Sequence, residues 1–165
     1  TTTADNAFLA SLIDAVLNYG ERYTGRDFRS NTWTLLIDEF EDRILLRKSL
    51  VDSITTIRYW DNSTVPAQLL IPTSIYYLQV GNAWSEAVLR VNQEWPTDVD
   101  DLQEHRIEIV FRTKASAEYI DAMKQGMTMH LTYLYQNRGD CEVDVNSARA
   151  SGAGYLYDQF RIARI

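Results

Sequence analysis

The spacing of apolar residues changes period twice along the chain, and that pattern limits the folds open to it. Between residues 5 and 24, Phe8, Leu9, Leu12, Ile13, Val16, Tyr19 and Tyr23 recur at steps of one, three and four, with Ser11, Asp14, Asn18, Glu21 and Arg22 opposite them. This spacing predicts an amphipathic helix. Asp5 is placed to cap its first turn and Gly25 to provide a left-handed stop, so the first helix is expected within 1–28. From Asn31 the period becomes two. Trp33, Leu35 and Ile37 alternate with other side chains as in a half-buried strand. Six more strands are predicted at 43–47, 54–60, 67–71, 75–80, 87–91 and 106–112. Asp61-Asn62-Ser63, Pro72-Thr73-Ser74 and Gly81-Asn82 provide turns between them.

Beyond residue 115 the helical period returns. Ile120, Met123, Met127, Leu131 and Leu134 form one stripe of a helix expected over 116–137, and Ala122, Gly126, Met129 and Tyr133 form a second line beside it. One apolar stripe is enough to face a core. The second line points to a further packing partner, from the same chain or from a neighbouring copy. Glycine in an exposed helix costs about 1 kcal/mol relative to alanine, so Gly126 is expected to admit a close approach. The segment 139–154 reads as a polar, glycine-punctuated loop, followed by an aromatic and apolar tail. The fold class is therefore α+β. It comprises an N-terminal helix, an antiparallel β-rich insertion over 29–114, a long second helix over 115–138, and a loop with a short C-terminal helix and extended tail over 139–165.

Length and composition bound the remaining possibilities. At 165 residues, 45% apolar and 24% charged, the chain is the size of one domain and has the composition of a soluble globular protein. No apolar run approaches the roughly 20 residues of a membrane helix, and no secretory signal opens the sequence. Twenty-three acidic against sixteen basic residues leave a net charge of −7, the wrong sign for wrapping nucleic acid. The one cysteine, Cys141, has no internal disulfide partner, which suits a reducing cytosol.

Catalytic, cofactor and metal motifs find no positive support. His105 and His130 have no ligand spacing around them, Cys141 has no nucleophile signature, and no phosphate-cradling glycine loop occurs. Asp98, Asp100, Asp101 and Glu104 lack the pattern of a calcium loop and read as a solvated acidic turn. Arg138-Gly139-Asp140 and the Asn62-Ser63-Thr64 sequon read as chance matches. Arg22, Arg26 and Arg29 are the notable basic cluster. They either favour the dipole at the end of the first helix or touch an acidic partner. In the tail, Tyr155, Tyr157, Phe160, Arg161, Ile162, Arg164 and Ile165 either close the chain's own core or dock on a partner, since chain ends are polar and frayed unless held.

Several stretches carry a family resemblance. VLNYGERYTGRDF (16–28) followed by TWTLLID (32–38) resembles the head–tail connector, or adaptor, proteins of tailed bacteriophages. SITTIRYWD (53–61), EWP (94–96), IEIVF (107–111), LTYLYQNR (131–138) and the closing LYDQFRIAR (156–164) agree in order, so the resemblance covers nearly the whole chain. One departure is the stretch 112–117, RTKASA, where many members have a glycine-containing turn and a proline. The resemblance implies one non-enzymatic adaptor domain over 1–165, made in the host bacterial cytoplasm and carried in the virion. It implies a ring, expected to be twelve-fold, bound under the portal protein. Such a ring extends the channel through which genomic DNA passes without specific binding, and presents a surface to a stopper or tail-completion protein. On that reading the tail residues named above dock on the portal, and Ala122, Gly126, Met129 and Tyr133 pack between subunits. Two alternatives are another connector-layer protein, either a stopper or a tail-completion factor, and a small enzyme with a pocket lined by Trp33, Trp60, Trp84 and Trp95.

Overall fold

A computed structural model of the chain describes residues 3–48, 50–81, 83–114, 117–138 and 146–162. It has the α+β class read from the sequence. Helix α1 spans Thr3–Thr24, so Asp5 lies inside the first turn instead of capping it. Its carboxylate still faces the positive end of the helix dipole there. The helix ends at Gly25, whose φ of 73° lies in the left-handed region, and the Gly25 amide donates to the Glu21 carbonyl at 2.9 Å. A side chain is strained in that conformation and glycine is not.

Seven strands follow: β1 Thr32–Ile37, β2 Arg43–Leu45, β3 Val51–Trp60, β4 Gln68–Leu70, β5 Tyr76–Gln79, β6 Glu86–Leu89 and β7 Ile107–Thr113. All pairings are antiparallel. One sheet has the order β1-β7-β3-β4 and the other the order β2-β6-β5. Strand β7 shows why the two-residue period produces this arrangement. Ile107, Ile109, Phe111 and Thr113 are all buried, while the residues between them are half-buried or exposed. Strand β3 answers with Ile57 and Tyr59, after irregularities at Val51/Ser53 and Ile54/Thr56 shift its register. Residues of both sheets share one apolar core, with Ile44, Leu46, Tyr76 and Ala87 on the side of the smaller sheet. Leu35 and Ile37 of β1 pack against this core. Trp33 is exposed, with the Lys48 ammonium 3.6 Å above its ring.

The remaining elements are α2 Ala117–Gln136, α3 Ser147–Ala150 and α4 Ala153–Asp158. Of the two short helices, α4 is the short C-terminal helix expected from the sequence, and α3 lies in the segment read as loop because four residues are too few to display a period. With α1 they enclose a second core of Met123, Ala148, Ala153 and Tyr157, flanked by Tyr19, Tyr23, Phe28, Met127 and Phe160. The chain forms two compact units, 1–28 with 116–165 and 29–115. Each has its own apolar cluster, and the two clusters share no residue.

Gly126 admits its neighbour from within the chain. A methyl group added there would lie 3.2 Å from the Tyr157 ring and 3.4 Å from Leu156 Cβ, so α2 and α4 are in contact at this point. Replacing a large buried aromatic by alanine costs about 3–5 kcal/mol, and overfilling a packed site costs about 1–3 kcal/mol. Tyr157→Ala and Gly126→Leu are therefore both expected to destabilise the helical unit, Tyr157→Ala more strongly. Urea unfolding followed by circular dichroism checks this; an unchanged midpoint for either variant would contradict the packing described.

Candidate functional site

The structure divides the expected docking residues into two groups. Tyr157 is fully buried among the tyrosines of α1, and Ile162 is buried with its amide donating to the Thr24 carbonyl at 2.9 Å. These two hold the tail to the end of α1, so this part of the tail packs within its own unit. Phe160 is half-buried, and its carbonyl accepts a 2.7 Å hydrogen bond from Arg26 Nε. Tyr155 and Arg161 are left outside. Tyr155 is 77% exposed, and the Arg161 guanidinium is exposed and lies 5.3 Å from the Tyr23 ring. Arg164 and Ile165 lie outside the described residues, as do Cys141 and both Gly139 and Asp140 of the Arg138-Gly139-Asp140 tripeptide.

The second line of α2 divides in the same way. Gly126 is buried against α4, which answers whether its close neighbour is the same chain or another copy. Ala122 and Tyr133 are half-buried, and Met129 is 37% exposed with its methyl end over Gly152. Thus Met129, with the outer parts of Ala122 and Tyr133, is what this line presents to the outside.

The first basic cluster gains partners that sequence distance concealed. Tyr23 Oη donates to Asp158 at 2.6 Å, and that bond is the largest of the causes that raise the Tyr23 pKa. Arg149 of α3 also reaches the Tyr23 hydroxyl, and Arg161 covers its ring. Arg22 lines the same shallow depression as Tyr19 and Tyr23. Arginines from α1, α3 and the segment after α4 therefore meet around one tyrosine. Arg22, Arg149 and Arg161 are all exposed.

The acidic turn is structural. Asp98 accepts from the Tyr59 hydroxyl, buried Asp100 accepts from the Leu102 amide, and Asp101 pairs with Arg106 at 2.7 Å. His105, at a φ of 57°, donates its amide to Asp38. Trp95 stacks on Phe40 at 4.9 Å and donates to the Glu41 carbonyl, so it fills space in the β-rich unit instead of lining a cavity. Among the described residues no cluster of side chains has the makeup of a metal site, and no helix is long and apolar enough to cross a membrane.

A chain in the virion of a native gene transfer agent (GTA) particle superposes on 99% of this chain and 81% of its own length, with a TM-score of 0.70 at 19% identity. The likeness is one of fold. A chain in the neck of a native GTA particle computed with C12 symmetry aligns over 96% of this chain and 84% of its own, with a TM-score of 0.67 at 19% identity. A chain in the neck of an empty GTA particle computed with C6 symmetry aligns over 98% and 80%, with the same score and identity. No protein-family model and no curated protein sequence matches the chain. Because the superpositions span nearly all of this chain, the likeness includes both the helical unit and the β-rich insertion.

His130 of α2 is buried in the helical unit. Its Nε2 is 2.9 Å from Ser147 Oγ on α3, and the Tyr19 and Tyr157 rings meet it edge-on at 5.1 and 6.3 Å. Its Nδ1 has no hydrogen-bond partner among the described residues. Burial lowers the His130 pKa below its ordinary value of 6.5, because a buried imidazolium loses its hydration. Above 6.5 the ring is neutral in both folded and unfolded chains. Below 6.5 the unfolded chain takes up the proton first, so stability is lost as pH falls from 6.5 towards the lowered folded value. His130→Gln should remove that part of the pH dependence in thermal melts. Equal slopes for both proteins would show that another group is responsible.

Proposed function

We propose that the chain is a structural component of the neck of a tailed-phage-like particle, acting as a head–tail adaptor with no catalytic role. The observation that carries this reading is the fold likeness over 99% of the chain to a GTA virion protein, joined by the likeness to chains of GTA necks. The C12 symmetry of one such neck supports a ring of twelve copies. In this reading the ring sits under the portal protein, prolongs the DNA channel and receives a stopper or tail-completion protein on its far side. A net charge of −7 suits a wall along which DNA slides, since like charge keeps phosphates from adhering. Tyr155, with Phe160, Arg164 and Ile165, is assigned to the portal, and Arg161, which lies over the Tyr23 ring, is left to the contact between copies. Met129, Ala122 and Tyr133 are assigned to the neighbouring subunit.

Electron microscopy of particles carrying this protein is the direct test. A ring of its density at the neck, next to the portal, is the expected outcome, and particles without it would remove the virion role. Tyr155→Ala provides a residue-level check. Exposed substitutions of this kind usually change stability by no more than about 0.5 kcal/mol each, so the variant should melt close to the wild type yet co-purify less with the portal. Undiminished portal binding would place the contact elsewhere.

A further inference from the structure

The adaptor reading requires copies to join side by side and assigns Met129, Ala122 and Tyr133 to that contact, without naming its charged part. We infer that the arginine patch around Tyr23 on one copy meets the acidic edge of the β-rich unit on the next. The inference rests on the ring reading and adds the residues and the polarity of the contact.

The acidic edge is built from two open strand edges. β1 is the outer strand of the larger sheet and β2 the outer strand of the smaller one, and a single groove is lined by residues of both. The Thr113 amide bonds to the Asn31 carbonyl, and the β1–β7 register places the backbone groups of Thr34 and Leu36 on the side away from β7. By the same reasoning the bonds Leu46–Ser85 and Leu89–Asp42 leave those of Arg43 and Leu45 directed away from β6. Open strand edges are places where a second chain can pair. Leu36 and Leu45, 45% and 39% exposed, line this groove. Glu39 and Glu41 lie along it, both exposed, and their carboxylates have no hydrogen bond or ion pair among the described residues. Arg47 is the cation of the lining, and Asp38 is engaged by the His105 amide.

The complementary surface lies on the helical unit. Arg22 has no partner among the described residues, Arg161 has the Tyr23 ring, and Arg149 lies beside the Tyr23 hydroxyl. Asp158 is the acidic group there, and its carboxylate is occupied by Tyr23. Both surfaces combine apolar area with unpaired charge, and the charges are opposite. Other carboxylates satisfy the patch less well, because Asp98, Asp100 and Asp101 already have partners. A contact between two different surfaces is heterologous, the kind that closes into a ring when its rotation allows. Charge complementarity of this kind fixes register and excludes wrong neighbours.

Charge exchange tests the contact. The full chain is purified as wild type, as Arg22→Glu/Arg161→Glu, as Glu39→Arg/Glu41→Arg, and with all four changes together. Circular dichroism confirms folding, and mass photometry reads self-association at low and high salt. The wild type is expected to associate and to weaken as salt is raised. Each two-residue variant should associate at least about tenfold more weakly, because like charges then face each other. The fourfold variant should recover to within about threefold of the wild type. If the folded fourfold variant fails to recover, or the two-residue variants associate as the wild type does, the contact is overturned. The same four chains are scored for entry into particles. A neck ring that forms equally with the two-residue variants overturns the contact and leaves the adaptor reading standing. A wild-type chain that neither associates nor enters particles overturns both. Binding of a short DNA duplex by the wild type but not by Arg22→Glu/Arg161→Glu would assign the patch to phosphate and also overturn it.

Discussion

The helical unit depends on a slot in α2 that is one glycine wide. At Gly126 the missing side chain lets α4 approach until the Tyr157 ring would be 3.2 Å from an added methyl group, and the ring then becomes fully buried between the helices. The contact draws in residues from both ends of the sequence. Tyr19 and Tyr23 of α1 lie 6.1 Å from the same ring, and His130 of α2 meets it edge-on. The chain beyond α4 is then carried back to the end of α1, where Ile162 bonds to Thr24 and Arg26 bonds to Phe160. A tail that would be frayed in isolation is thereby made part of the fold.

That closure determines what the helical unit can offer to partners. Burying Tyr157 and Ile162 removes the apolar centre of the expected hook and leaves Tyr155 and Arg161 on the outside. The same folding gathers arginines that lie more than a hundred residues apart in the chain. A polar surface with one aromatic and several guanidinium groups suits a reversible, register-setting contact better than an oily one, because its strength depends on matching charge. The β-rich unit takes the opposite sign at its free edge. Several carboxylates away from that edge hold turns and strands, as Asp98 and Asp101 show.

Much of the secondary structure was legible in the residues alone. The two-residue alternation of Ile107, Ile109 and Phe111 and the turn formers between strands located all seven strands, with shifts of a few residues at their ends. The helical steps of Phe8 to Tyr23 and Gly25 located α1 and its stop. Asp5 was misread as a cap because the helix runs on to Thr3, and hydrogen bonding alone decides that boundary. The short C-terminal helix expected from the sequence is α4, whereas α3 was read as loop because four residues carry too few apolar steps to show a period. The resemblance to connector proteins pointed to the same order of elements that the comparisons with GTA virion and neck chains display.

The candidate surfaces were far less legible. Nothing in the sequence near Arg22 announces Arg149 or Arg161, and nothing near Glu39 announces that two strand edges flank it. The sequence by itself determined the order of helices and strands, the unusual second line on α2 and the acidic balance, because period, glycine placement and charge are local or additive properties. Only the tertiary structure decided that Gly126 faces the chain's own Tyr157, that the tail closes a core, and which charges remain unpaired. Those depend on distances between residues far apart in the chain, and such distances are set by packing, which no local pattern encodes.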